Sequence, residues 1–218
     1  PEERQATLAA DNVPVRITYG RDRLGAQIAN IVQHGSNWVI QAVWGEGEID
    51  GIESVTFDDK AVPTGVSVTH YLGAAGQTAD PWLVAAFAAR GEVYADALPG
   101  IAYSVFRVPT SVEQFPQIAA VIRGRKIYDP RSTTTAYSTN PALALADMRS
   151  NTRYGGGRSM DWASVAAVAD ACDEVVGTAP RRSIGLTFAG RQELDSLCEA
   201  LRTYAGCWIV PSAAGDKL

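Results

Sequence analysis

The chain has 218 residues, 46% of them apolar and 20% charged, with a formal net charge of -5. That length holds one large or two small domains and buries about 70% of the unfolded surface, so the composition is globular and not disordered. The acidic balance argues against nucleic-acid sequence recognition, whose phosphate contacts need a basic surface; the densest basic stretch, Arg123, Arg125 and Lys126, is short.

The first 130 residues read mainly as strands. VPVRITY (13–19) places Val13, Val15, Ile17 and Tyr19 on one face, the period of a half-buried strand. NWVIQAVW (37–44) is continuously apolar, as a central strand is, and the turn GEGEIDG leads into IESVTFDD (52–59), where Asp58 and Asp59 mark a reversal. GVSVTHYL (65–72) continues a meander, and IAYSVFRV (101–108) and IAAVIRGRKIY (118–128) are rich in β-branched and aromatic residues. Between them, Asp80 and Pro81 are the N-cap and first turn of a short inserted helix that puts Trp82, Ala86 and Phe87 on one face and stops at Gly91.

After a polar, Thr-rich connector, YDPRSTTTAYST (128–139), the character changes. Asn140 and Pro141 open a helix running to about Asn151. Ser159 is the N-cap expected for a second, with Trp162, Val165, Ala169, Cys172 and Val176 at helical spacing and Gly177 at the stop. RSIGLTFA (182–189) reads as a strand. A third helix carries the stripe Leu194, Leu197, Cys198, Leu201 and Tyr204, closed by Gly206. CWIVPSAAGDKL reads as a strand, a turn at Gly215–Asp216 and an opening return strand, the pattern expected of a fragment of a longer protein. The fold class is therefore α+β: a β-rich domain over 1–130 with a helical insertion at about 73–98, then a smaller α+β domain over 131–218.

The longest apolar run, WLVAAFAA (82–89), is far below the roughly 20 residues of a membrane span. The opening PEERQATLAADN is polar and acidic, unlike a secretory signal. Cys172, Cys198 and Cys207 form an odd set without a C-x-x-C pair, and two of them lie on apolar helix faces, which fits reduced thiols in a reducing cytosol.

Chemistry-bearing motifs are few. Gly155, Gly156 and Gly157 follow a helix and lack the preceding strand and Gly-Lys-Ser/Thr of a phosphate loop, so they read as a helix C-cap and hinge with Gly155 at positive φ. In EGEIDG (46–51), Glu46, Glu48 and Asp50 imitate the start of a calcium loop, but its twelfth position is Phe57 instead of glutamate. Nor do Glu46 and Glu48 on one turn face each other across a cleft as a glycosidase pair does. No sequence feature couples His34 or His70 to a nucleophile, no G-x-S-x-G elbow is present, and the cysteines and histidines lack zinc spacing. These residues predict no catalytic group, cofactor or metal site. Trp38, Trp44, Trp82, Trp162 and Trp208 are able to stack on sugars, but four of them fall on expected core faces.

The order of several stretches resembles the central tail hub of long-tailed bacteriophages, the tip attachment protein J family. They are VPVRITYGRDRLGAQI (13–28), WVIQAVWGEGEIDGIESVTFDDKAV (38–62), GQTADPWLV (76–84) with LPGIAYSVFRV (98–108), FPQIAAVIRGRKIYDPR (115–131) and NPALALADMRSNTRYGGG (140–157). The last two are the most specific, and the likeness covers nearly all of the chain. This sequence is much shorter than a complete hub protein and lacks the further hub, fibronectin-like and receptor-binding modules, so host recognition is not carried over.

The resemblance implies a structural, non-enzymatic role. Such hubs look like homotrimers at the distal end of the virion's tail, assembled in the host bacterial cytoplasm. They are expected to contact the distal tail protein ring, tail tube, tape-measure protein and other tip proteins. Their β-rich domains have barrel-like antiparallel sheets that imitate tube subunits, so three copies with two such domains each match a six-fold ring. The alternatives are a cell-wall-degrading tail enzyme and a carbohydrate-binding module.

Overall fold

A computed structural model describes residues 13–112, 115–190 and 192–218; the reading of residues 1–12 as a non-signal segment lies outside them. In chain order the elements are β1 (Ile17–Gly25), β2 (Gln27–His34), β3 (Asn37–Glu46), β4 (Ile49–Phe57), β5 (Lys60–Ala61), β6 (Ser67–Leu72), α1 (Pro81–Ala88), β7 (Ile101–Pro109), β8 (Ile118–Asp129), β9 (Thr134–Tyr137), α2 (Pro141–Ser150), α3 (Trp162–Asp173), β10 (Val175–Val176), β11 (Ala179–Pro180), β12 (Gly185–Phe188), α4 (Leu194–Ala205), β13 (Val210–Ser212) and β14 (Gly215–Lys217). The fold is β-rich α+β, as the sequence predicts. Two compact units share the described residues: 13–17 with 23–123, and 18–22 with 124–218. Strands β1 and β8 contribute residues to both.

In the first unit an antiparallel sheet runs β2-β3-β7-β6. Period-two alternation gives it two apolar faces. Ile40, Ala42, Trp44, Ala102, Phe106 and Val108 pack with Ile49, Phe57, Ile118, Ala120 and Ile122 from β4 and β8. On the other side Val39, Val43, Tyr103 and Val105 meet Leu83 and Ala86 of α1 and the ring of Tyr94. Burial on both faces explains why β3 reads as continuously apolar. The inserted helix starts as expected, with the Asp80 carboxylate accepting from the Trp82 and Leu83 amides at 2.8 and 3.0 Å and Pro81 at its first position. It ends where Glu92 N donates to Phe87 O and Gly91 N to Ala88 O, the paired bonds of a Schellman stop. Its buried residues are Leu83 and Ala86, whereas Trp82 stands at the edge of the helix, 37% exposed.

Several expectations for this unit are corrected. The first strand begins at Ile17 and extends to Gly25, so Val13 and Val15 are outside it and exposed. Strand β2 was not expected; a register shift between Ile28 and Asn30 breaks its alternation and hides it in the sequence. Strand β4 starts at Ile49, three residues before the expected onset. Asp58 and Asp59 do make the reversal, both at positive φ as a type I′ hairpin requires, and lead into β5. The meander stops there, because β6 pairs with β7 and not with the strand before it.

In the second unit α2 packs against α3 and α4. Every residue from Pro141 to Ala146, and Met148, is buried, so α2 is enclosed on all sides. Asn140 caps it through Ala142 N at 3.0 Å. On α4, Leu197, Cys198 and Leu201 face inward as expected and Gly206 closes the helix in the left-handed region, φ 62°. Ala205 completes that stripe, and Tyr204 is exposed.

Other boundaries move. The Thr-rich connector contains β9, which pairs with β8 from Asp129↔Thr134 to Lys126↔Tyr137. The cap of α3 is Asp161, whose carboxylate accepts from Ser164 N; the Ser159 carbonyl accepts from Asp216 N instead. That helix stops at Asp173 because the returning chain takes its last carbonyls, Arg182 N bonding Cys172 O and Arg181 N bonding Glu174 O. Val176 therefore lies in the β10–β11 hairpin, exposed. The strand expected over 182–189 is confined to Gly185–Phe188, and Gly215 and Asp216 belong to β14, so the last turn is Ala213–Ala214.

Leu201 is fully buried and Tyr204 half exposed on the same helix. Leu201→Ala is expected to cost about 2–5 kcal/mol in urea unfolding, and Tyr204→Ala no more than about 0.5 kcal/mol. Equal losses would mean that α4 packs in another rotation.

Candidate functional site

The glycine loop follows α2 directly, and its amides are already engaged. Gly156 N donates to Met148 O at 3.0 Å, Gly157 N to Asn151 O at 3.1 Å and Arg158 N to Arg149 O at 2.9 Å. These bonds satisfy the orphan carbonyls of a helix C-terminus, so the amides are not free for a phosphate. The positive φ belongs to Gly157 (59°) and not to Gly155. Gly155 is needed for space: a Cβ there would lie 2.1 Å from Met148 O.

The acidic turn also serves the backbone. Only Gly47 and Glu48 separate β3 from β4, at the point where the chain leaves one sheet for the other. Asp50 is ion-paired with Arg123. Among the described residues no group of three or more His, Cys, Asp or Glu is placed to hold a metal ion. The basic stretch of β8 is likewise divided, Arg123 going to Asp50 and Arg125 to Asp147.

One histidine does meet a hydroxyl, a pairing that no sequence feature marks. His70 Nδ1 lies 2.6 Å from Ser104 Oγ across the β6–β7 ladder, and Trp44 Nε1 donates to the same oxygen at 2.7 Å. Ser104 is fully buried and His70 is exposed, so the bond ties a surface ring to a core hydroxyl. Burial lowers the His70 pKa below its ordinary 6.5. In the same unit Tyr71 stacks on Tyr103 at 4.6 Å and donates to Asp80 at 2.9 Å, with burial and that bond raising the Tyr71 pKa to about 12.

The tryptophans depart from expectation. Trp44 is fully buried and Trp38 is partly buried against Phe115, but Trp82 and Trp162 are each 37% exposed and Trp208 is 74% exposed. Two of these rings are covered on one face, Arg107 sitting 4.0 Å over Trp82 and Arg202 4.4 Å over Trp208, and Trp162 meets Tyr128 edge-on at 5.2 Å.

Sequence reasoning missed the principal polar cluster, which lies in the second unit. The Asp147 carboxylate, on α2, accepts from Tyr19 OH at 2.6 Å and from Tyr154 OH. Arg125 Nε lies 3.2 Å from the same oxygen, with its guanidinium 4.8 Å over the Tyr154 ring. Burial, reinforced by Asp147, raises both tyrosine pKa values, so the hydroxyls stay protonated donors. Two residues on, Arg149 pairs with the buried Asp216 of β14, which also meets Arg158 at 3.5 Å. Burial pushes the Asp216 carboxyl up, and the bonds from Arg149 and Arg158 more than offset this, leaving its pKa below the ordinary value. Tyr19 and Arg125 are distant in sequence from Asp147 and Tyr154, and each of the four lies within a stretch that carries the tail-hub resemblance. Their meeting was the available signal, readable only once the fold was known.

No family model and no curated protein matches the sequence. Among solved structures, a chain from the virion of a native gene transfer agent particle is similar, with a TM-score of 0.46 and 23% identity over 55% of this chain and 28% of that one. The present chain thus spans little more than a quarter of the length of that neighbour.

Asp147→Ala removes the one acceptor of two hydroxyls and strands a partly buried guanidinium, so a loss of about 3–5 kcal/mol is expected. Asp59→Asn, at an exposed ion pair with Arg23, is expected to lose less than about 1 kcal/mol; equal losses would show that the cluster is not a buried network. Because His70 binds its proton more weakly folded than unfolded, stability is complete above the ordinary pKa of 6.5 and declines as pH falls below it. Thermal melts across that range should show a smaller acid-side drop in His70→Asn, which keeps an acceptor for Ser104. An unchanged drop would exclude this histidine as the cause.

Proposed function

We propose that the chain is a structural, non-enzymatic component of a phage-like virion, and specifically part of the central hub at the distal end of the tail. The carrying observation is the order of motifs from Tyr19 to Gly157, together with the role their residues play. Tyr19, Arg125, Asp147 and Tyr154 are spent on one buried network, and the glycine loop on capping α2. A motif set that builds interior contacts fits a protein acting through shape and interfaces better than one acting through a reaction.

In this reading, residues 1–130 and 131–218 are two successive hub domains. Three copies form a ring by heterologous, closed contacts, each burying well over about 1,000 Å² against its neighbours. The distal tail protein ring, tail tube, tape-measure protein and other tip proteins are its partners. The chain assembles in the host cytoplasm and resides at the tail end of the particle. Electron microscopy of purified particles labelled through this chain should mark the tail end remote from the head. Label on the capsid, or particles that assemble complete tails without the chain, would overturn the proposal.

A further inference from the structure

The turn that ends α4 is held against the end of α3, and a pair of thiols flanks the contact. Cys172, in the last turn of α3, directs its Sγ at Ala205 O, 3.7 Å away. Arg182 ties the same two places together: its backbone N donates to Cys172 O at 3.0 Å, and its guanidinium donates to Ala205 O. Gly206 then reverses the chain in the left-handed region, and Cys207 N turns back to Arg202 O at 3.4 Å. Cys207 consequently lines a crevice of about 310 Å³ together with Val168 and Ala171, the α3 residues four before and one before Cys172. Cys172 is buried and Cys207 only partly so, which leaves Cys207 as the thiol that solvent reaches first.

We propose that Cys172 and Cys207 are a redox pair, forming a disulfide that staples the end of α3 to the turn after α4 when the protein meets a peroxide. The Cys207 thiolate attacks one peroxide oxygen, giving a sulfenic acid and releasing hydroxide, which is protonated to water. The Cys172 thiolate then attacks the Cys207 sulfur, and the sulfenic oxygen leaves as the second water. In balance, two thiols and hydrogen peroxide give one disulfide and two waters. Burial raises the pKa of both thiols, and Arg182 opposes that shift at each, so the reaction is expected to quicken as pH rises. Cys198, the third thiol, is buried on the inward face of α4 and takes no part.

The three cysteines fall on separate tryptic peptides, residues 159–181, 192–202 and 203–217. The intact chain is treated with hydrogen peroxide, free thiols are alkylated, and the digest is read by mass spectrometry without reduction. The expected product joins the first and third peptides with the loss of two hydrogens, leaves Cys198 alkylated and is reversed by dithiothreitol. The oxidised protein should also show a higher Tm, because the bridge restricts the unfolded chain, and Cys207→Ser should show no such rise. Alkylated Cys172 beside a Cys207 sulfinic acid, a bridge containing Cys198, or a Cys207 bridge between two copies would each overturn the proposal. The peptide map needs no variant, so a poorly folding Cys207→Ser does not remove the test.

Discussion

The second unit is organised around a largely buried carboxylate. Helix α2 is apolar and enclosed from Pro141 to Ala146, and Asp147 is the acid that follows that stretch, its side chain 14% exposed. A buried charge persists only where hydrogen bonds and an opposite charge replace its water. Here two tyrosine hydroxyls and a guanidinium do so, and they come from β1, β8 and the loop after α2. Satisfying Asp147 therefore fixes where three separate segments must lie around the helix. The geometry is demanding in a way that apolar packing is not: Arg125 Nε, though 3.2 Å from Asp147, is itself left without a hydrogen bond.

The loop after α2 shows how one constraint propagates to the next. Tyr154 reaches Asp147 only if the chain folds back sharply over the last turn of the helix. That path brings the Gly155 backbone so close to Met148 O that no side chain fits there. The same path aims the amides of Gly156, Gly157 and Arg158 at the helix's open carbonyls, and it brings Arg158 to Asp216 beside Arg149. A glycine run that superficially suggests ligand binding is explained by the close approach that two buried ion clusters impose.

What was legible in the sequence were features decided within a few residues. Asp80–Pro81 and Asn140–Pro141 identify helix starts because the cap side chain bonds amides two and three positions on. Leu197, Cys198 and Leu201 mark a buried stripe because Leu201 lies one helix turn beyond the other two. The errors arose where a distant segment decided the outcome. Ser159 and Asp161 are both good cap residues, and the choice fell to Asp161 because β14 occupies the Ser159 carbonyl. Val176 has helical spacing, but the chain near Arg181 takes the carbonyls that would have continued α3. Strand β2 was hidden by its bulge, and β9 by a threonine run whose β-branched side chains suit a strand as well as a connector.

The same distinction applies to the polar clusters. The groups drawn to Asp147 bond one another, and so, separately, do those drawn to Ser104. Ser104 is closed off between Trp44 and His70, and the tyrosine hydroxyls are held protonated against a carboxylate already committed to an arginine. Among the described residues, Trp208, Val175, Val176 and Val93 are large apolar side chains left outward. Interior polarity of this kind fixes a single arrangement of segments, and a unit held in one arrangement presents the same surface in every copy.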